Sequence, residues 1–318
     1  MFSLVRTGAA ALLLALLLAL AAACGDDENS GTAVGTSTPV ATSAAIQYPL
    51  TLTDGKSRSV TLEAAPQRIA SLSPAATETL FAIGAGDQVA AVDKFSNYPP
   101  EAASREQFDA FQPSVEAIVG AQPDLVFVVY DPGNLVDGLT SAGLTVFFLE
   151  TPTSVEGVLD QIRMLGQATG HTQEAEGLVA TMEQGINDIE EKLADIQQGP
   201  RFFHEVDNQL YTVAPASFIG SLYAILKAQN IAAGTDQAFP QLSQEAIIEA
   251  DPEVIILGDA AGGESLETVK ARPGWANISA VKSGRVYVID PDIVSRPGPR
   301  LVDALATLAQ MLYPERFA

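Results

Sequence analysis

The chain holds one cysteine, one tryptophan and two histidines in 318 residues. A single cysteine, Cys24, excludes a disulfide within the monomer. Two histidines, His171 and His204, are too few for a zinc site built from several imidazoles. No nucleophile elbow and no Gly-rich phosphate loop occur, so no recognisable catalytic motif is present. Basic residues are scarce as well: 17 Lys and Arg stand against 39 Asp and Glu, for a formal charge of −22. Nucleic acid and anionic lipid surfaces are poor partners for such a chain. The acidic surface keeps the protein soluble and suits a basic patch on a partner protein. Long apolar runs are limited to Ala9 to Ala23, behind Arg6. That run is too short to span a bilayer and reads as the core of a signal peptide covering 1–23.

The run ends in Leu20-Ala21-Ala22-Ala23-Cys24-Gly25. This resembles a bacterial lipobox, although Ala21 stands three places before the cysteine and Leu20 is one place early. Lipidation of Cys24 accounts for a lone cysteine in an exported chain. Ordinary cleavage after an Ala-x-Ala is the alternative. Residues 24–47 then form a lipid anchor and flexible linker, because Asp26 to Ala45 is polar, rich in Ser, Thr, Gly and Ala, and without apolar periodicity. The remainder exceeds the usual size of one domain and has enough apolar content for two cores.

Two stretches repeat each other. Pro113-Ser114-Val115-Glu116-Ala117-Ile118-Val119-Gly120-Ala121-Gln122-Pro123-Asp124-Leu125-Val126 returns as Leu242-Ser243-Gln244-Glu245-Ala246-Ile247-Ile248-Glu249-Ala250-Asp251-Pro252-Glu253-Val254-Ile255. Each copy places a Ser N-cap before a short amphipathic helix, breaks it at Pro, and enters an apolar β-rich segment. A looser echo pairs Pro74-Ala75 and Leu80 to Ile83 with Pro215-Ala216 and Leu222 to Ile225. Two α/β lobes of similar plan are expected, with a cleft between them suited to a small molecule.

The first lobe, 48–152, begins with a hairpin around Thr53-Asp54-Gly55-Lys56. Strands are expected at 68–72, 88–92, 124–130 and 144–149, in a β-α-β alternation that implies mostly parallel sheet. Residues 153–199 read as connecting helices. Thr153 and Glu156 have capping-box spacing, and the stripe Leu178, Met182, Ile186, Ile189, Leu193 and Ile196 predicts a long helix of about seven turns. The second lobe, 200–318, carries strands near 202–206, 210–213, 254–257 and 285–289, then a helix with Leu301, Leu305, Leu308 and Leu312 on one face.

These residues resemble the helical-backbone, class III substrate-binding proteins of ABC importers for cobalamin, iron siderophores and haem. The resemblance is carried by Arg68-Ile69-Ala70-Ser71-Leu72-Ser73-Pro74-Ala75-Ala76-Thr77-Glu78, the Gln122 to Val126 turn, Arg272-Pro273-Gly274-Trp275 and Lys282 to Tyr287. Phe95 to Pro100 and Phe239 to Ser243 look most like the vitamin B12 branch. The family implies an α/β fold of two lobes with mostly parallel sheets, joined by a long helix. It also implies an extracytoplasmic, membrane-anchored monomer that hands its ligand to a permease dimer with ATPase subunits. No catalytic role and no resident cofactor or metal are implied.

By the same resemblance, aromatic rings at Phe95, Phe111, Tyr130 and Phe239 contact the ligand, and the turn Asp292, Ile293, Val294, Ser295 and Arg296 closes one side. Glu205 is placed with them. Rigid rings suit a large, mostly flat ligand because they lose little rotamer entropy. Glu116 and Glu245 match the family's permease-docking glutamates; each also sits where a carboxylate favours a helix N-terminus. Trp275 reads as structural. Alternatives remain at this stage. An anionic ferric siderophore would favour cleft arginines, and haem would favour Tyr130 or His204 on iron. An enzyme or an adhesive lipoprotein is the alternative from another class, with His204-Glu205-Val206-Asp207 the only suggestive cluster. On a strand, His204 and Val206 face away from Glu205 and Asp207.

Overall fold

In the computed structural model, residues 46–259 and 262–317 are described. The signal peptide, Cys24 and nearly all of the 24–47 linker lie outside the described residues.

β1 (Leu50–Thr53) and β2 (Ser59–Leu62) form the expected antiparallel hairpin. Its loop is fixed by Asp54, whose carboxylate accepts from the backbone N–H of Lys56 and of Arg58 at 2.9 Å each, an Asx-type turn. The first sheet contains β3 (Ile69–Leu72), β4 (Val89–Asp93), β5 (Glu106–Phe108), β6 (Leu125–Val128) and β7 (Val146–Phe148). Their order is β5-β4-β3-β6-β7 and every neighbouring pair is parallel. Crossovers run through α1 (Pro74–Ala82), α2 (Val115–Gly120) and α3 (Leu135–Ser141). Helices on both faces explain why β3 and β6 are buried at every position.

After α4 (Val155–Thr169) and α5 (Thr172–Lys192), a second parallel sheet is built from β8 (Arg201–Glu205), β9 (Gln229–Asn230), β10 (Val254–Leu257) and β11 (Val286–Val288), in the order β11-β10-β8-β9. Helices α6 (Phe218–Ile225), α7 (Gln244–Ala250), α8 (Leu266–Ala271) and α9 (Ser279–Ser283) link them, and α10 (Pro291–Val294) and α11 (Leu301–Leu312) close the chain.

The repeat is a structural one. Ser114 caps α2 by accepting from Ala117 N–H, and Ser243 caps α7 by accepting from Ala246 N–H, both at 3.1 Å. Gln122 and Asp251, the matched residues before the prolines, both have left-handed backbones, with φ of 52° and 45°. The strands that follow, β6 and β10, lie beside β3 and β8 in equivalent places.

The long connector is shorter than its apolar stripe predicts. α5 ends at Lys192, because Lys227 Nζ donates to the carbonyls of Leu193 at 2.7 Å and Ala194 at 3.3 Å, capping the C-terminal end; Leu193 and Ile196 follow in a turn. α4 is capped by Ser154, one residue later than the Thr153 spacing implies, with its hydroxyl accepting from Gly157 N–H at 3.1 Å. Residues 210–213 form no regular strand and meet β8 only through an isolated antiparallel bridge between Glu205 and Thr212. Thr212 and Ala214 also donate to the carbonyls of Pro240 and Ala238, tying the segment to that loop. β5 and β9 went unanticipated; both are short strands at sheet edges.

One apolar core runs from the first sheet (Ile69, Leu125, Phe127) through α4 and α5 (Ile162, Val179, Met182) to the second sheet (Phe202, Ile256) and α11 (Leu305, Leu308). Smaller clusters cover the other faces, one around Ile118 and Leu139, the other around Trp275 and Phe203. Trp275 is fully buried, in keeping with a structural role.

Candidate functional site

β3 and β8 both lead into loops followed by a Ser N-cap. Ser73 accepts from Ala76 N–H at 3.3 Å and Ser217 from Gly220 N–H at 2.9 Å. These loops face a cleft made of adjoining cavities. One, of about 310 Å³, is lined by Leu72, Pro74, Asp93, Phe95, Phe111, Tyr130, Asp292, Ser295 and Arg296. A second, of about 390 Å³, is lined by Tyr130, His204, Val206, Ser217, Phe218, Phe239, Gly258, Val294 and Ser295. A third, of about 170 Å³, bridges them along Ser73 to Ala75, Tyr130 and Thr151 to Pro152. Tyr130 and Ser295 belong to all three. A groove of about 410 Å³ lies beside the hairpin loop and α4, but none of the expected ligand-binding aromatic rings reaches it.

The four expected rings are unusually exposed for large apolar groups: Phe95 45%, Phe111 56%, Tyr130 51% and Phe239 49%. Three of them form one platform. Phe95 meets Phe111 edge-on at 5.7 Å between centroids, and Phe111 meets Tyr130 at 5.4 Å with a 31° tilt. Phe239 stands in the other cavity, which also reaches Tyr130.

Among the described residues, Arg296 is the only Lys or Arg lining these cavities, and its charge is already matched. Nη1 donates to Glu78 at 2.9 Å and to Asn97 Oδ1 at 2.8 Å; Nη2 donates to the Phe95 carbonyl at 3.1 Å and lies 2.7 Å from Asp292. Nearby Lys94 pairs with Asp109 at 2.6 Å. Asp93 sits at the cleft floor, where burial pushes its carboxyl up against the hydrogen bonds from Ser96 and Phe95.

Two expected ligand contacts lie elsewhere. Glu205 is completely buried on the opposite face of β8, as the strand parity requires, and receives Arg272 at 2.6 and 2.5 Å. Burial, with Asp259 and Glu264 close by, pushes its carboxyl up to about 7 against the pull of Arg272. Oxygens of Glu205, Asp259 and Glu264 lie within 4.8 Å of one another, but Arg272 sits among them and also pairs with Glu264 at 2.7 Å. Ile293 packs against the main core, because α10 turns it away while presenting Asp292, Val294 and Ser295 to the cavities. Glu116 and Glu245 are both exposed in the first turns of α2 and α7.

Sequence reasoning missed the share of the wall built by Thr151 to Thr153 and by Ala216 to Ile219. The second of these carries a signal: the Pro74-Ala75 and Pro215-Ala216 echo marks the loop that each sheet turns toward the cleft.

Comparison with known proteins follows the same lines. A family profile described as periplasmic binding protein matches residues 69–293. An ABC transporter substrate-binding lipoprotein of Bacillus subtilis, YvrC, is 34% identical over 278 residues, covering 85% of this chain and 87% of its own. A cobalamin-binding protein of Halobacterium salinarum is 32% identical over 279 residues, covering 85% and 75%. Among solved structures, the periplasmic vitamin B12-binding protein BtuF of Vibrio cholerae shares 26% identity with a TM-score of 0.68, covering 80% of this chain and 99% of its own. The periplasmic haem-binding protein RhuT of Roseiflexus, in its apo form, shares 26% with a TM-score of 0.71, covering 79% and 99%.

Proposed function

Because the chain belongs to the periplasmic binding protein family and is the extracytoplasmic substrate-binding protein of an ABC transporter, not an enzyme, we propose that its cargo is a cobalamin-like corrinoid. The observation that carries this is the exposed platform of Phe95, Phe111 and Tyr130, facing a cleft whose single arginine among the described residues is already neutralised. Flat apolar faces stack on such rings, and a ligand without net anionic groups needs no free cation. An anionic ferric siderophore or a haem with ionised propionates would leave its charge unmatched here. The cobalamin-binding relative at 32% identity supports the same reading.

Haem is the second reading, on one observation: the Tyr130 side chain is half exposed where the cavities meet, a position from which a phenolate could bind iron. Calorimetric titration against cyanocobalamin, a ferric siderophore and haemin separates the three. Absent cobalamin binding beside tight binding of either competitor rejects the corrinoid.

The remaining roles follow the family plan. Lipidated Cys24 would hold the monomer at the outer face of the cytoplasmic membrane, the periplasmic side in a cell with two membranes. Residues 48–152 and 200–318 would act as the two ligand-gripping lobes around the connector 153–199. Glu116 and Glu245, at matched places of the repeat, would meet arginines of the permease dimer.

A further inference from the structure

We infer that His204 is a neutral hydrogen-bond donor at the floor of the Phe239 cavity, selecting ligands that place a carboxamide oxygen there and disfavouring metal coordination at its Nε2; the identity of that oxygen's owner rests on the corrinoid reading. His204 lies on β8 with its side chain turned to the cleft and only 1% of the residue exposed. Nδ1 is 2.8 Å from the Tyr223 hydroxyl. Tyr223 is equally buried, stacked on Phe202 at 3.6 Å between centroids, and its hydroxyl has no other hydrogen-bond partner among the described residues. A buried O–H demands an acceptor. Nδ1 is the one within reach, so it accepts and the ring proton sits on Nε2.

Nε2 itself makes no hydrogen bond among the described residues, and it borders the cavity where Gly258 leaves it uncovered: a Cβ at that glycine would come within 3.1 Å of it. Burial holds the imidazole neutral, with its pKa pushed down to about 4, so the group offered is an N–H and not a cation. Coordination of iron or cobalt needs a lone pair on Nε2. That would move the proton to Nδ1 and leave the Tyr223 O–H buried without an acceptor. An amide carbonyl, of the kind that fringes a corrinoid ring, satisfies the donor directly; a carboxylate would also accept but would bring a charge that no free cation among the described cleft residues matches.

With only two histidines in the chain, ¹⁵N-histidine NMR of the free protein reads the proton directly. The expected spectrum shows one neutral Nε2–H imidazole from pH 8 to pH 6, assigned by its loss in His204→Gln. An Nδ1–H or cationic ring at pH 6 overturns the assignment. Cyanocobalamin should then shift that N–H signal. His204→Leu should weaken cyanocobalamin binding about 5- to 30-fold, and His204→Gln, which keeps an N–H, by less than about 3-fold. Unchanged affinity in His204→Leu overturns the ligand contact. Haemin binding with a histidine-ligated absorption spectrum that disappears in His204→Leu overturns the donor role. If cyanocobalamin does not bind the wild type at all, the corrinoid reading fails, while the proton's position on the free protein still decides the donor assignment.

Discussion

Arg296 Nη1 and Glu78 Oε1 lie 2.9 Å apart, joining the segment that follows the second sheet to helix α1 of the first. Arg300 donates to the same carboxylate at 2.8 and 2.6 Å, and the Glu78 side chain is 1% exposed. Both arginines are largely covered. Removing the carboxylate leaves two largely covered guanidinium groups without their shared counter-charge, with Asp292 still beside Arg296. Glu78→Ala should therefore lower unfolding stability by about 3–5 kcal/mol, measured by urea denaturation. A change below about 1 kcal/mol would show that water reaches the cluster.

Stacking predicts a different signature in the cleft. Phe111→Ala and Phe239→Ala should each weaken cyanocobalamin binding by about 1–3 kcal/mol. Since both rings are about half exposed in the free protein, thermal stability should barely move. Calorimetry and melting curves on the same samples check both halves; normal affinity in both variants removes Phe111 and Phe239 from the binding site.

Acid sensitivity should report on His204. Its folded pKa is depressed from 6.5 to about 4 by burial, so between those values the unfolded chain binds the extra proton. The stability it contributes is whole above pH 6.5 and lost as pH falls, approaching about 3 kcal/mol by pH 4. His204→Gln should lose less stability than wild type between pH 7 and 4.5 in urea titrations. Equal losses would contradict a neutral buried imidazole.

Docking through the repeat makes a prediction about transport. Glu116→Lys and Glu245→Lys should each impair reconstituted uptake and leave soluble ligand affinity unchanged, with each lost pair costing about 2–5 kcal/mol at the interface. A role confined to the helix N-termini would instead appear as about 0.3–1 kcal/mol of lost stability. Normal uptake by the double variant removes the docking role.

Ligand-induced closure should be small. The core passes from Phe127 through Val179 and Met182 to Phe202 and Leu305 without a break, so hinging would have to open packed apolar surface. Small-angle scattering should show little compaction when cyanocobalamin is added; a large fall in radius of gyration would count against a rigid connector.

Periodicity and punctuation made the fold largely readable. The 113–126 and 242–255 repeat announced two lobes, because each copy needs its own cap, helix and buried strand. Parity along β8 placed His204 and Val206 on one face and Glu205 on the other, since a strand alternates at every residue. Resemblance singled out Phe95, Phe111, Tyr130 and Phe239, and all four line the cavities. The end of α5 was hidden, because the lysine that terminates it, Lys227, is distant in sequence. So was the turning of Ile293 into the core, which depends on how a four-residue helix is seated. The neutralisation of Arg296 and the pairing of Glu205 with Arg272 were also decided only in three dimensions. Local propensity and spacing determine which segments form, but a side chain's charge, exposure and partner depend on groups brought together from distant parts of the chain.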